Sequence, residues 1–234
     1  MFKKFEIEKN DIITITGSGG KTSLMFFLAY ELSKKGRVLV TTTTKIYVPD
    51  KSQFEKMYID ENIIEGENKN IFVVGKNIKD NKIIGLEYEE IKKIKDKFDY
   101  ILIEGDGAKE KLLKEWNDFE PCIPNFSNKV IGVLNLDILN MKLKEENIHR
   151  FNLFEKKYPE YIGKKVNIDF LKEYLKKGKF FDNTKNEKYI FLNGADGEKR
   201  QEKEKIAKYL KKFFEKEDFK IVYGSLKNCN NKKI

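Results

Sequence analysis

Residues 11–32, DIITITGSGGKTSLMFFLAYEL, set three glycines, a lysine and a hydroxyl side by side between two apolar runs. That combination suits phosphate binding. Gly17, Gly19 and Gly20, with Ser18 among them, let the backbone turn tightly and point successive N–H groups inward. A helix starting at Thr22-Ser23 adds the positive end of its dipole, Lys21 neutralises phosphate charge, and the Thr22 hydroxyl suits magnesium.

The strict pattern G-x-x-x-x-G-K-[ST] requires glycine at position 15, where Ile15 stands, so the loop is two residues short. A Gly-Lys-Thr tripeptide alone means little in a lysine-rich chain. Its context carries the reading: a buried strand directly before it and a long apolar helix directly after. The competing reading is a glycine turn that only packs helix on strand. A G-x-x-G-K-T loop also resembles the compact phosphate loop of Mur-type peptide ligases.

Four further groups could share that chemistry. FDYILIEGDGAKEKLLK ends an apolar strand in Glu104, with Asp106 just beyond; carboxylates there suit a magnesium held directly or through water and can orient an attacking group. Against that stands an acidic turn in which Gly105 and Gly107 serve only the bend. VTTTTKIYVPD puts Thr43, Thr44 and Lys45 where a second strand should emerge beside Lys21, although threonine is also simply favoured in strands. YIFLNGADGEK keeps Asn193 and Asp196, the outer letters of the guanine-reading N-K-x-D motif, with Gly194 in the lysine position. Asn-Gly and Asp-Gly are equally common turn formers. EENIHRFNLF offers His149 and Arg150 to an anionic ligand or to proton transfer, or merely to a helix surface.

These groups need a scaffold that gathers them. Short Ile, Val and Leu runs alternate with amphipathic helical patterns. They predict an α/β, P-loop NTPase-like fold with a mostly parallel sheet of about six or seven strands, covered by helices on both faces. Strands are expected at 12–16, 37–44, 71–74, 100–104, 130–136, 189–193 and 220–224, and the first helix from about Thr22 to Lys35, stopped by Gly36. Parallel strands bring their C-terminal ends to one edge, so residues far apart in sequence meet there. Residues 50–70 and 140–186 are polar without strong strand signals. They are expected to be loops and helices covering one end of the sheet, within a single domain over 1–234.

Composition narrows the partners. The net charge of +9 comes almost entirely from lysine interleaved with Glu and Asp, the arginines being Arg37, Arg150 and Arg200. Arginine is the usual base and phosphate reader, so this is a solvated surface rather than a nucleic-acid footprint. No apolar run is long enough to cross a membrane and the N-terminus lacks a secretory pattern, which predicts a cytoplasmic protein without a membrane partner. Cys122 and Cys229 have no C-x-x-C spacing, and His149 is the lone histidine, so neither a disulfide framework nor a zinc site is expected.

In this order, GSGGKTSLMFFLAYEL, GRVLVTTTTKIY, LIEGDGAKEKLLK, FEPCIP, VIGVLNLDILNMKLKEENIHRFNLF and FLNGADG resemble the selenium-dependent molybdenum hydroxylase accessory protein family, YqeC type. The resemblance runs from about residue 10 to residue 225. It implies a nucleotide-binding protein, with ATP or GTP and Mg2+ as ligands, that assists the maturation of selenium-dependent hydroxylases; a molybdenum hydroxylase or its molybdopterin cofactor would be the partner. It supports residues 17–22 as the phosphate loop and 41–45 as a neighbouring segment, and it places Glu104, Asp106, Lys109, His149 and Arg150 near metal or substrate. The family's more usual E-A-D-G appears as Glu104-Gly105-Asp106-Gly107, keeping both carboxylates. Its N-[KQ]-x-D appears as Asn193-Gly194-Ala195-Asp196, which leaves the base open. Cys122, inside the E-P-x-x-P segment, is assigned no sulfur or selenium transfer. Two activities fit: an NTPase or phosphotransferase using Lys21, Glu104 and Asp106, and a non-catalytic nucleotide-gated chaperone.

Overall fold

The computed structural model describes residues 2–59, 70–182, 184–195 and 199–226. Its strands are β1 Ile12–Gly17, β2 Val38–Thr42, β3 Lys45–Tyr47, β4 Lys56–Ile59, β5 Ile71–Gly75, β6 Asn77–Lys79, β7 Lys82–Ile84, β8 Tyr100–Glu104, β9 Leu113–Lys114, β10 Lys129–Asn135, β11 Ile148–His149, β12 Glu187–Asn193 and β13 Lys220–Tyr223. The helices are α1 Lys21–Ser33, α2 Tyr88–Ile94, α3 Phe151–Lys157, α4 Ile168–Lys177 and α5 Arg200–Phe213.

Eight strands form one sheet in the order β13-β12-β10-β1-β8-β2-β5-β4, and every neighbouring pair is parallel. Alternate side chains face opposite ways along each strand. On one face Ile13, Ile15, Val40, Leu102 and Val133 bury against Leu24, Met25, Leu28 and Leu32 of α1. On the other, Ile12, Leu39, Ile101 and Ile103 bury against Ile91 and Ile94 of α2. That second face continues beyond β10 as Leu134, Ile190 and Leu192 under Phe154 of α3, Phe170 and Tyr174 of α4 and Leu210 of α5. Burial on both faces is why these strands read as unbroken apolar runs.

All seven predicted strands lie in the sheet, and three details depart from expectation. β4 falls in the 50–70 stretch, expected to be loop or helix. It is an edge strand whose side chains stay partly exposed, so no apolar run marks it. β2 stops at Thr42 instead of continuing to residue 44; the chain bends through Thr43 and Thr44 into β3, which joins β7 and β6 in a small antiparallel sheet. Residues 140–186 do more than cover one end, because their aromatic side chains pack against a sheet face. No helix among the described residues is long and apolar enough to cross a membrane.

The topology defines a crevice. The chain leaves β1 toward the β2 side and β10 toward the β12 side, so the order reverses between neighbouring strands, the position where open parallel sheets bind ligands.

Candidate functional site

The loop after β1 sits in that crevice. Gly17, Gly19 and Gly20 have φ of +91°, +78° and +125°, a region side chains avoid. Space is equally restrictive, since a Cβ on Gly19 would lie 2.4 Å from the Asn135 Cβ and one on Gly20 2.5 Å from the Asn193 Nδ2. The backbone therefore threads between the ends of β10 and β12. Ser18 N donates to Val133 O at 2.9 Å, and Ser18 Oγ to Leu112 O at 2.9 Å. α1 begins directly after Gly20 with no side-chain cap, and Gly20, Lys21, Thr22 and Ser23 line an open cavity. The first N–H groups of a helix have no intrahelical acceptor, so this terminus offers donors to an anion.

Lys21 and Thr22 meet the end of β8, as the parallel register requires. The Thr22 hydroxyl donates to Glu104 Oε2 at 2.7 Å. The buried Lys21 ammonium donates to Gly17 O at 2.9 Å, 3.3 Å from Asp106 Oδ1 and 3.8 Å from Glu104 Oε1. The two carboxylates then part company. Glu104 lines the cavity, whereas Asp106 is fully buried behind the loop and accepts through Oδ2 from Gly17 N at 3.0 Å and Trp116 Nε1 at 2.6 Å. The Lys114 ammonium, also fully buried, lies 3.0 Å from the same oxygen. Asp106 thus anchors the loop, and Glu104 with Thr22 forms the oxygen pair at the cavity wall.

Their electrostatics differ accordingly. Burial pushes the Glu104 carboxyl above its ordinary pKa, and Lys21 and the Thr22 hydroxyl only partly oppose it. Burial works against Asp106 too, yet Lys21, Lys114 and the Gly17 N–H together hold it below the ordinary value. Lys21 is depressed by its burial but raised further by Asp106 and Glu104, so it stays charged. Glu104 is therefore the carboxylate that a cation would relieve. An oxygen-only pair of hydroxyl and carboxylate fits Mg2+, which takes one or two protein ligands and completes its shell with phosphates and water. Among the described residues no group of three or more His, Cys, Asp and Glu forms a protein-only metal cage.

The cavity has a volume of about 1050 Å³, at the upper end for a small-molecule site. Thr43, Thr44, Lys45 and Tyr47 form one wall, and Lys109, Glu120, His149 and Arg150 belong to another. The threonines earn their place structurally as well, Thr42 Oγ1 donating to Glu104 O at 2.8 Å and Thr43 Oγ1 to Cys122 O at 3.1 Å. His149 is half-buried, and burial with the neighbouring Arg150 pushes its pKa down to about 4, so its imidazole is neutral near pH 7.

Asn193 lines the cavity but its amide is occupied: Nδ2 donates to Gly19 O at 3.0 Å and Oδ1 accepts from Gly194 N at 2.8 Å. It clamps the glycine loop to the end of β12. Asp196 and Cys229 lie outside the described residues. Sequence reasoning passed over Lys114 and Glu120, which join Asp106 to Arg150, and Trp116, which donates to Asp106. Lys114 looks like any surface lysine in KEKLLKEW, and the one usable signal was that Trp116 is the chain's single tryptophan.

The model of the family described as YqeC protein matches residues 13–152, from β1 to the start of α3. The chain belongs to the YqeC family. An Escherichia coli (strain K12) protein described as "Uncharacterized protein YqeC" is 36% identical over 150 residues, which cover 61% of this chain and 59% of that protein. The family match is shorter than the resemblance that runs to residue 225. It takes in the phosphate-type loop, the threonine segment, Glu104 to Glu120 and His149-Arg150, while the Asn193 clamp lies beyond it.

Proposed function

We propose that this YqeC-family chain binds ATP or GTP with Mg2+ on the Gly17–Thr22 loop, acts on the terminal phosphoryl group, and serves as an accessory factor in the maturation of selenium-dependent molybdenum hydroxylases. One observation carries the nucleotide reading: an uncapped helix start built on positive-φ glycines, with Lys21 and the Thr22–Glu104 pair beside it, opens on a cavity large enough for a nucleotide. The loop N–H groups and the Lys21 ammonium would hold the β- and γ-phosphates. Thr22 and Glu104 would hold the magnesium, which when bound neutralises charge between those phosphates. Glu104 would orient the attacking group, and Asp106 would keep loop and lysine in place. Catalysis of this kind is mostly positioning and charge stabilisation. The accessory role, with a hydroxylase or its molybdopterin cofactor as partner, rests on the sequence resemblance.

A melting series with ATP, GTP and CTP, each with and without magnesium, tests the nucleotide reading. At a hundredfold excess over Kd a ligand that binds only the folded state stabilises it by about 2.7 kcal/mol. For a chain of this length that raises Tm by roughly 5–10 °C. No shift with any nucleotide contradicts the proposal.

A further inference from the structure

Of the chain's three arginines, Arg150 lines the cavity. Arg37 stacks near the Phe72 and Phe98 rings at 4.9 and 5.5 Å, and Arg200 pairs with Glu204 on α5. Arg150 has φ of +58°, a backbone conformation that a non-glycine residue keeps only where its surroundings impose it. Its guanidinium is clamped in a fork, Nη1 donating to Glu120 Oε2 at 2.5 Å and Nη2 to Oε1 at 3.0 Å. A guanidinium carries five N–H donors, so the clamp leaves others for a ligand.

The clamp is referenced to the phosphate-type loop. Lys114 Nζ donates to Glu120 Oε2 at 3.0 Å and to Gly107 O at 2.6 Å, while lying 3.0 Å from Asp106 Oδ2. Asp106 in turn holds the Gly17 N–H and faces Lys21. Lys21, Asp106, Lys114, Glu120 and Arg150 therefore form an unbroken run of alternating charge from one wall of the cavity to another. Buried ions are costly to desolvate, and apolar replacements often serve stability as well. A run of them between two cavity walls is better explained by the geometry it fixes.

We infer that Arg150 is a catalytic residue, the cation that meets the γ-phosphoryl group from a second wall while Lys21 meets it from the loop, and that Glu120 and Lys114 position it. The inference rests on the nucleotide reading above and deepens it. In the reaction the oxygen of a water bonds to the γ-phosphorus as the bond to the β–γ bridging oxygen breaks. The electron pair of the broken bond stays on the nucleoside diphosphate; of the water's two protons one remains on the released phosphate and the other passes to solvent. Charge spread over the equatorial oxygens is what an arginine supplied within the same chain stabilises, provided it is held in place beforehand.

The test is calorimetric titration of Mg-ADP and Mg-GDP, with and without aluminium fluoride, which mimics the transferring phosphoryl group. Wild type should bind the diphosphate about a hundredfold more tightly or better with the fluoride. Arg150→Ala should bind the diphosphate as wild type does and lose the tightening. Guanidinium in solution should restore phosphate release to Arg150→Ala, which a merely structural arginine would not permit. Arg150→Lys, which keeps the charge without the fork, covers the case in which the alanine variant fails to fold and should also lose most of the tightening. The inference is overturned if either variant keeps the tightening, or if wild type binds the diphosphate without it. Absence of any diphosphate binding by wild type instead overturns the nucleotide reading, and this inference with it.

Discussion

Asp106→Asn is the most informative single substitution behind the loop. The wild-type carboxylate serves four partners at once: the Gly17 N–H, the Trp116 indole, and the Lys114 and Lys21 ammonium groups. An asparagine can still accept from Gly17 and Trp116 through one oxygen, but its NH2 then faces an ammonium, donor against donor. Breaking a buried pair by removing one partner costs about 3–5 kcal/mol. Lys21 keeps Glu104 at 3.8 Å and Lys114 keeps Glu120 at 3.0 Å, which favours the lower end of that range. A loss of about 3 kcal/mol lowers Tm by roughly 6–12 °C for a chain of this length. Urea unfolding at pH 7, followed by the fluorescence of Trp116, measures it, with the m-value expected to stay constant. The pH dependence supplies a second check. The folded-state pKa of Asp106 lies below the ordinary 3.8, so its contribution is present above that value and disappears as pH falls through the lower folded pKa. The difference between wild type and Asp106→Asn should therefore shrink below pH 3.8. A variant within about 0.5 kcal/mol of wild type at pH 7 would refute the charged anchor.

Two further outcomes follow from the same geometry. His149 is the single histidine, so its proton NMR titration is unambiguous and should show a midpoint of about 4; because the folded state favours the neutral ring, its stabilising contribution is present above the ordinary 6.5, is lost as pH falls toward 4, and is missing in His149→Gln. A midpoint near 6.5 would sink that account. Gly19→Ala, with φ of +78° and a Cβ 2.4 Å from Asn135, should cost about 1–3 kcal/mol and weaken nucleotide binding, whereas Gly107→Ala, whose Cβ meets nothing within 4 Å, should change neither; equal behaviour of the two contradicts the loop geometry.

What could be read from the sequence follows from what burial does to it. β1, β2, β5, β8, β10, β12 and β13 are covered on both faces, and their apolar runs were visible; β4 is a half-exposed edge whose Lys56-Met57-Tyr58-Ile59 carries no such run. The tight turn between β1 and α1 was legible because three glycines between a buried strand and an apolar helix permit the positive-φ backbone found there. Residue type could not separate Glu104 from Asp106, since their roles depend on which one turns behind the loop. That the end of β12 lies beside Gly19, where the Asn193 amide donates to the loop, could not be read from the motif letters. Lys114 was hidden for a plainer reason: buried and exposed lysines look alike until the carboxylates around them are known, here Asp106 from the end of β8 and Glu120 from the segment after β9.

The central claim is that residues 17–22 hold nucleotide phosphates with magnesium. Calorimetric titration of Mg-ATP and Mg-GTP into wild type and Lys21→Ala tests it most directly, with circular dichroism confirming that both are folded. The account predicts one site in wild type for at least one nucleotide. Loss of a charge-assisted hydrogen bond worth about 1.5–3 kcal/mol should weaken binding to Lys21→Ala by roughly 10- to 150-fold. Folded wild type that takes up neither nucleotide, or Lys21→Ala that binds as tightly as wild type, would contradict it.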